Sequence, residues 1–125
     1  MKRFGIALVV GLMMMIPTTT ALAGQHDVIR QGSCSGRTDW KLKLSPDDGR
    51  IELEFEVDQN VSGDRWRVKI RHDGDVAFRN TRTTGGASGS FEVRTFEPNR
   101  AGSDTFRARA RNLSTGEICV GTASI

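Results

Sequence analysis

The chain has 125 residues, with 18 lysines and arginines against 15 aspartates and glutamates, for a net charge of +3. A charge this small does not by itself indicate a nucleic-acid-binding protein. The length allows one domain with a hydrophobic core but not two.

Residues 1–23 have the layout of a secretory signal peptide, with a basic start, an apolar stretch over residues 4–16 and a small-residue cleavage site ending at Ala23. The apolar stretch is shorter than the roughly 20 residues that span a bilayer. Loss of Lys2 and Arg3 leaves 16 bases against 15 acids, a net charge of +1, in residues 24–125. We therefore expect one domain, residues 24–125, that is exported, soluble and extracellular.

Alternating apolar and polar residues predict seven short strands separated by turn-forming residues, and almost no helix. Such strands have one apolar face each, and two packed sheets would bury those faces. The predicted fold is an all-β, antiparallel β-sandwich, with a small barrel as the alternative. In chain order the predicted strands lie near residues 40–44, 51–57, 66–70, 76–80, 91–96, 105–111 and 117–123.

The predicted core consists of the apolar residues that alternate along these strands, with aromatic rings supplying the largest contacts. Its members are Trp40, Leu42, Leu44, Ile51, Leu53, Phe55, Val57, Trp66, Val68, Ile70, Val76, Phe78, Phe91, Val93, Phe106, Ala108 and Ala110.

Cys34 and Cys119 are the only cysteines, and an even number in an exported chain favours a disulfide. Two free thiols or half of a metal site are the alternatives, but no metal-ligand spacing is present. A bridge between these positions would close a loop of most of the domain, which the chain-entropy treatment values at roughly 4–5 kcal/mol.

Residues with catalytic or metal-binding chemistry are sparse. His26 is expected in a frayed start and His72 in a solvated turn, and no nucleophile motif accompanies them. The cluster of glutamates could supply a carboxylate pair for glycosidase chemistry, but a solvated strand face explains it equally well. The acidic turns could bind calcium, but Asp-Gly sequences are common in turns without any metal. We therefore predict no enzyme, no catalytic residue, no metal site and no cofactor. The acidic groups considered were Glu52, Glu54, Glu56, Asp47, Asp48, Asp73 and Asp75.

Two basic stripes stand out, one on the third predicted strand and one on the sixth. If the second and third strands form a hairpin, the three glutamates of residues 52–56 pair with the bases of residues 67–71 and staple the strands. If the chain crosses between sheets instead, both stripes share one face, which would favour an anionic partner. A solvated face that protects a sheet edge is the plain alternative. The stripes comprise Arg65, Arg67, Lys69, Arg71, Arg107, Arg109 and Arg111.

Function is open between three classes. The first is a binding module with a basic face for an anionic polymer or an acidic protein, with no nucleic acid expected. The second is an interaction or inhibitor protein that uses the loops at residues 59–64, 83–89 or 98–103, of which residues 83–89 are expected to be flexible. The third is a small hydrolase.

Two resemblances add context. Seven strands with a tryptophan on the third resemble the immunoglobulin and fibronectin type III architecture, although the two cysteines do not lie on the immunoglobulin strands and no tyrosine exists for a tyrosine corner. The segments CSGRTDWKLKL, DGRIELEFEVD, SGSFEVR and NRAGSDTF resemble small secreted proteins of unknown function from high-GC, actinobacteria-like bacteria. The second resemblance implies no catalytic or ligand-binding residue.

Overall fold

The computed structural model describes residues 26–125, so the predicted signal peptide lies outside the described residues. Eight antiparallel strands and no helix make up this part of the chain. β1 had no counterpart among the seven predicted strands, because VIRQGS lacks a clear alternation of apolar and polar residues. The strands are β1 (Val28–Ser33), β2 (Asp39–Asp47), β3 (Arg50–Asp58), β4 (Arg65–His72), β5 (Asp75–Thr83), β6 (Ser90–Pro98), β7 (Thr105–Asn112) and β8 (Ile118–Ser124).

In residues 26–125 no helix has the length and apolar character needed to cross a membrane.

The strands form two four-stranded sheets, which confirms the predicted all-β sandwich. The first sheet has the order β1-β2-β3-β6 and the second has the order β5-β4-β7-β8. The chain crosses between sheets after β3, so β3 pairs with β2 and β6, whereas β4 pairs with β5 and β7. The hairpin that would have stapled the acidic strand to the basic strand therefore does not form.

Two of the connections are tight hairpin turns that demand unusual backbone angles. Asp48 and Gly49, between β2 and β3, have φ angles of 47° and 76°, and Asp73 and Gly74, between β4 and β5, have 47° and 89°. Positive φ at both central positions is typical of the hairpin turns that Asp-Gly sequences favour. These turns set the registers of the two hairpins.

The core lies between the sheets and is close to the predicted one. Val76 is a correction: a register shift in the β4–β5 pairing places it opposite the outward-facing Arg71, and it is 46% exposed. Trp40 and Phe78 are only partly buried. The buried hydrophobic residues are Leu42, Leu44, Ile51, Leu53, Phe55, Val57, Trp66, Val68, Ile70, Phe91, Val93, Phe106, Ala108, Ala110, Cys119 and Ala123.

The first and last strands are joined in two ways. The predicted disulfide links Cys34, just after β1, to Cys119 in β8, 85 residues away. The Trp40 indole lies between Gly32 of β1 and Gly121 of β8, both on edge strands. The contact is close: a Cβ added at Gly32 would stand 3.0 Å from the nearest ring atom, and one at Gly121 would stand 2.5 Å from its nearest ring atom. The absence of side chains at these positions makes room for the ring.

A polar cluster closes one end of the core beside the buried Trp66. The indole nitrogen of Trp66 donates to Oε1 of Gln59 at 3.0 Å. The side-chain amides of Gln59 and Asn112 both donate to Oδ2 of Asp64. The hydrogen bonds from these two amides, with that from Asn112 having the larger effect, stabilise the charged form of Asp64. They therefore lower the pKa of the Asp64 carboxyl.

The segment expected to be a flexible loop, residues 83–89, is hydrogen-bonded to the β3–β4 connection. The backbone amide of Thr84 donates to the carbonyl oxygen of Asp64, and the backbone amide of Gly63 donates to the carbonyl oxygen of Thr84. The backbone amide of Gln59 donates to the carbonyl oxygen of Gly89. This loop is therefore built into one end of the sandwich.

Candidate anion-binding face

The outer surface of the second sheet carries both basic stripes. All seven predicted bases face outward from β4 and β7, whose intervening residues fill the core. Arg79 of β5 joins them, opposite Lys69. The sequence offered little sign of Arg79, because β5 lies at the sheet edge and its alternation is weak. We call the eight residues the basic face: Arg65, Arg67, Lys69, Arg71, Arg79, Arg107, Arg109 and Arg111.

The register brings like charges directly opposite one another. Lys69 faces Arg109 across β4 and β7 and faces Arg79 across β4 and β5. The pairs on either side of this row follow the same pattern, Arg67 opposite Arg111 and Arg71 opposite Arg107. Three successive rows of bases thus cross the middle of the sheet.

In the described part of the chain, the second sheet supplies no acidic partner to the basic face. Its four strands contain one acid, Asp75, which begins β5 opposite the inward-facing His72 and whose carboxylate lies 3.3 Å from Arg100. Within residues 26–125, no carboxylate oxygen comes within 4.0 Å of any of the eight cations. The charge of this surface is therefore not neutralised by the protein.

At the centre of the basic face, neighbouring arginines disfavour the charged form of Lys69. The positive charge of Arg71, together with desolvation and the charges of Arg79 and Arg109, lowers the pKa of the Lys69 ammonium. An opposite charge placed here would remove this strain on the charged form.

In the first sheet, by contrast, acids and bases on neighbouring strands form ion pairs. The carboxylate of Glu54 lies 2.6 Å from Arg94 of β6 and 3.8 Å from Lys43 of β2. Glu52 lies 3.2 Å from the same arginine. Hydrogen bonding from Arg94 lowers the pKa of Glu54. Glu52 and Glu54 are thus paired with bases on the neighbouring strands of their own sheet, and not with the basic stripes.

Two shallow depressions mark the basic face, and both include Lys69 and Arg109 in their walls. One has a volume of about 440 Å³ and extends towards Arg79 and Arg111. The other, of about 260 Å³, extends towards Arg71 and Arg107. A depression of about 440 Å³ also lies over Trp40 on the first sheet, but its lining mixes Lys41 with acids.

His72 is not the solvated turn residue that the sequence suggested. It ends β4 with its side chain pointing inward, is fully buried, and stacks on Phe106 with ring centroids 4.3 Å apart. Its Nε2 lies 2.6 Å from Oδ1 of Asp104, and its Nδ1 lies 3.2 Å from Oε1 of Glu97. The placement of β7 and the β6–β7 connection produces this burial, which the local sequence does not indicate.

The only residues in 26–125 whose ligand atoms cluster as a metal site would require are His72, Asp73 and Asp104, within 4.8 Å of one another. These atoms already have partners within the protein. The Thr105 amide donates to Asp73, and the Arg100 amide and the His72 imidazole bond to Asp104. The geometry is that of a hydrogen-bond network around the buried His72 and Asp104, which connects the end of β4 to the β6–β7 connection.

Comparison of the chain with protein-family models, with curated protein sequences and with solved structures finds no match, so the basic face is interpreted from its own geometry.

Proposed function

We propose that this protein is an exported, non-enzymatic binding module whose basic face takes an anionic polymer. One observation carries the proposal: the outer surface of one sheet bears eight cations, and among residues 26–125 no carboxylate oxygen lies within 4.0 Å of any of them. Repulsion among these cations weakens the fold at neutral pH, and a polyanion would relieve it.

Protection of a sheet edge does not account for the stripes. Charged residues that discourage aggregation belong on edge strands, where unpaired backbone groups are exposed. The edges of the second sheet are β5 and β8, whereas seven of the eight bases lie on its two central strands, β4 and β7. The charge therefore covers the middle of a face and not its rim.

Several features support export and the absence of catalysis. A disulfide-bonded domain of this size suits an oxidising, extracellular environment, and the signal-peptide pattern of residues 1–23 agrees with it. The buried His72 is engaged on both ring nitrogens, so it is poorly placed to act as a base on a substrate.

The test is retention of the purified protein on an immobilised polyanion at low ionic strength, followed by elution with salt. We expect retention at about 50 mM salt and release as salt screens the charges. Arg67→Glu and Arg109→Glu each reverse one charge of the face and should elute at clearly lower salt.

Lys41→Glu is the matched control, because Lys41 lies on the outer face of the first sheet and is exposed. It changes net charge by the same amount. If the control shifts elution as much as Arg109→Glu does, retention depends on net charge and not on the face. If neither the parent protein nor the control is retained at low salt on any polyanion, the proposed function is wrong.

A further inference from the structure

We infer that the basic face takes a linear polyanion laid along the strands of β4 and β7, with a polyol-phosphate chain as the best-fitting class. This inference rests on the proposed function and specifies its ligand. It starts from the arrangement of the bases in rows and from the two depressions that share one pair of side chains.

The two depressions define adjacent subsites. Lys69 and Arg109 line both, and each depression then has its own bases on one side, Arg111 in the larger and Arg107 in the smaller. A single small anion would fill one subsite and leave the other rows of cations unpaired. A chain with several linked charges would contact successive rows at once, so its affinity would increase through multivalency.

The spacing of the rows limits the repeat of the polymer. Outward residues recur every second position, which places successive rows about 6.6–6.8 Å apart along the strands. Three bonds of an extended chain cover up to about 3.3–3.6 Å, as in a polypeptide, so six bonds cover about 7 Å. Phosphates joined through a three-carbon polyol are separated by six bonds, which matches one phosphate per row.

The composition of the face favours a polymer recognised by its charges alone. The outward-facing side chains of β4 and β7 are basic apart from Thr105. Those of β5 and β8 add Arg79, threonine, serine and aliphatic groups, but no aromatic ring. Protein interfaces are usually centred on aromatic anchors, and single-stranded nucleic acids are held by rings that stack on bases. A nucleic-acid strand shares the six-bond phosphate spacing, but its bases would find no partner here.

The experiment measures binding of glycerol-phosphate oligomers with one, two, four and eight phosphates to the purified protein at fixed ionic strength. We expect the four-phosphate oligomer to bind at least about 100-fold more tightly than the monomer. The double variant Arg71→Gln/Arg107→Gln removes one row and should weaken the four-phosphate oligomer more than the two-phosphate one. Lys41→Gln/Arg30→Gln, away from the face, should leave both unchanged.

The outcomes separate the ligand class from the general function. Retention on polyanions with equal affinity for one and four phosphates would overturn the linear arrangement while leaving an anion-binding face. Tighter binding of an oligonucleotide or an oligouronate with the same number of charges would overturn the polyol-phosphate assignment. Loss of binding to every polyanion would instead reject the proposed function itself.

Discussion

Lys69 and Arg109 face each other across β4 and β7 on the outer surface of the second sheet, and no carboxylate oxygen in the described residues 26–125 lies within 4.0 Å of either cation. Like charges placed directly opposite one another destabilise a sheet. Arg79 stands on the other side of Lys69, so this lysine is flanked by arginines across both neighbouring strands. The arrangement opposes folding, and under the proposed function it favours binding of an anion, so the two effects can be measured separately.

Replacing Lys69 with glutamine should stabilise the protein and weaken its binding to a polyanion. The pKa of Lys69 is lowered from 10.5, chiefly by Arg71, so the folded state binds fewer protons than the unfolded state at pH values between the lowered pKa and 10.5. The destabilising repulsion is present at neutral pH and is relieved as pH rises through the lowered pKa.

Thermal unfolding at pH 7 tests this directly. Lys69→Gln should raise the Tm at low ionic strength, and the gain should shrink when salt screens the face. Arg30→Gln on the first sheet is the control, because Arg30 is exposed and no carboxylate oxygen of residues 26–125 lies within 4.0 Å of it, and this variant should leave the Tm nearly unchanged. A lower Tm for Lys69→Gln at low salt would show that the cations of this face do not repel one another as the geometry implies.

The sequence was sufficient for the fold class because burial in a sandwich depends on the two-residue alternation that β3, β4 and β7 display clearly. Where alternation fails, prediction failed too: β1 was missed, and Val76 was assigned to the core because a register shift cannot be read from its neighbours. The likeness to the immunoglobulin and fibronectin type III architecture remains a prediction.

The sequence predicted which bases share a face of their own strand, but not which strands lie side by side. Alternation showed that the bases of each stripe share a face of their strand, but only the pairing of strands decides whether they meet acids or other bases. The crossing after β3 separates Glu54 from Lys69 and brings Arg109 beside it. The burial of His72 likewise depends on long-range packing, which no local pattern reveals.

The Asp64 carboxylate should contribute to stability in a pH-dependent way. Its pKa lies below 3.8 because Asn112 and Gln59 donate hydrogen bonds to it. Its contribution is therefore present above the unfolded-state pKa and is lost as pH falls through the lower folded-state value.

Denaturant unfolding of Asp64→Asn against the parent protein from pH 2 to pH 7 isolates this effect. The variant should be less stable at pH 7, and the difference should shrink as pH falls below about 3.8, the ordinary pKa of aspartate. A difference that is constant across this range would show that the negative charge of Asp64 contributes nothing.

Replacing His72 with alanine should destabilise the domain by about 3–5 kcal/mol, because it leaves the buried Asp104 carboxylate without its closest side-chain partner. His26 is exposed, and His26→Ala serves as the control, with an expected change within about 0.5 kcal/mol. Chemical denaturation measures both. A cost for His72→Ala close to that of the control would mean that the network around Asp104 does not depend on the imidazole.

Gly121 should tolerate no side chain, because a Cβ there would stand 2.5 Å from a ring atom of Trp40. Gly121→Ala is expected to cost about 1–3 kcal/mol through overpacking. Gly85→Ala is the control, since a Cβ at Gly85 meets no atom within 4 Å. If steric conflict with the indole is the cause, Trp40→Leu should reduce the cost of Gly121→Ala, and the coupling in a double-mutant cycle should be at least about 0.5 kcal/mol. Additive effects would place the cost in the backbone of β8, and the indole would then have no part in requiring glycine at this position.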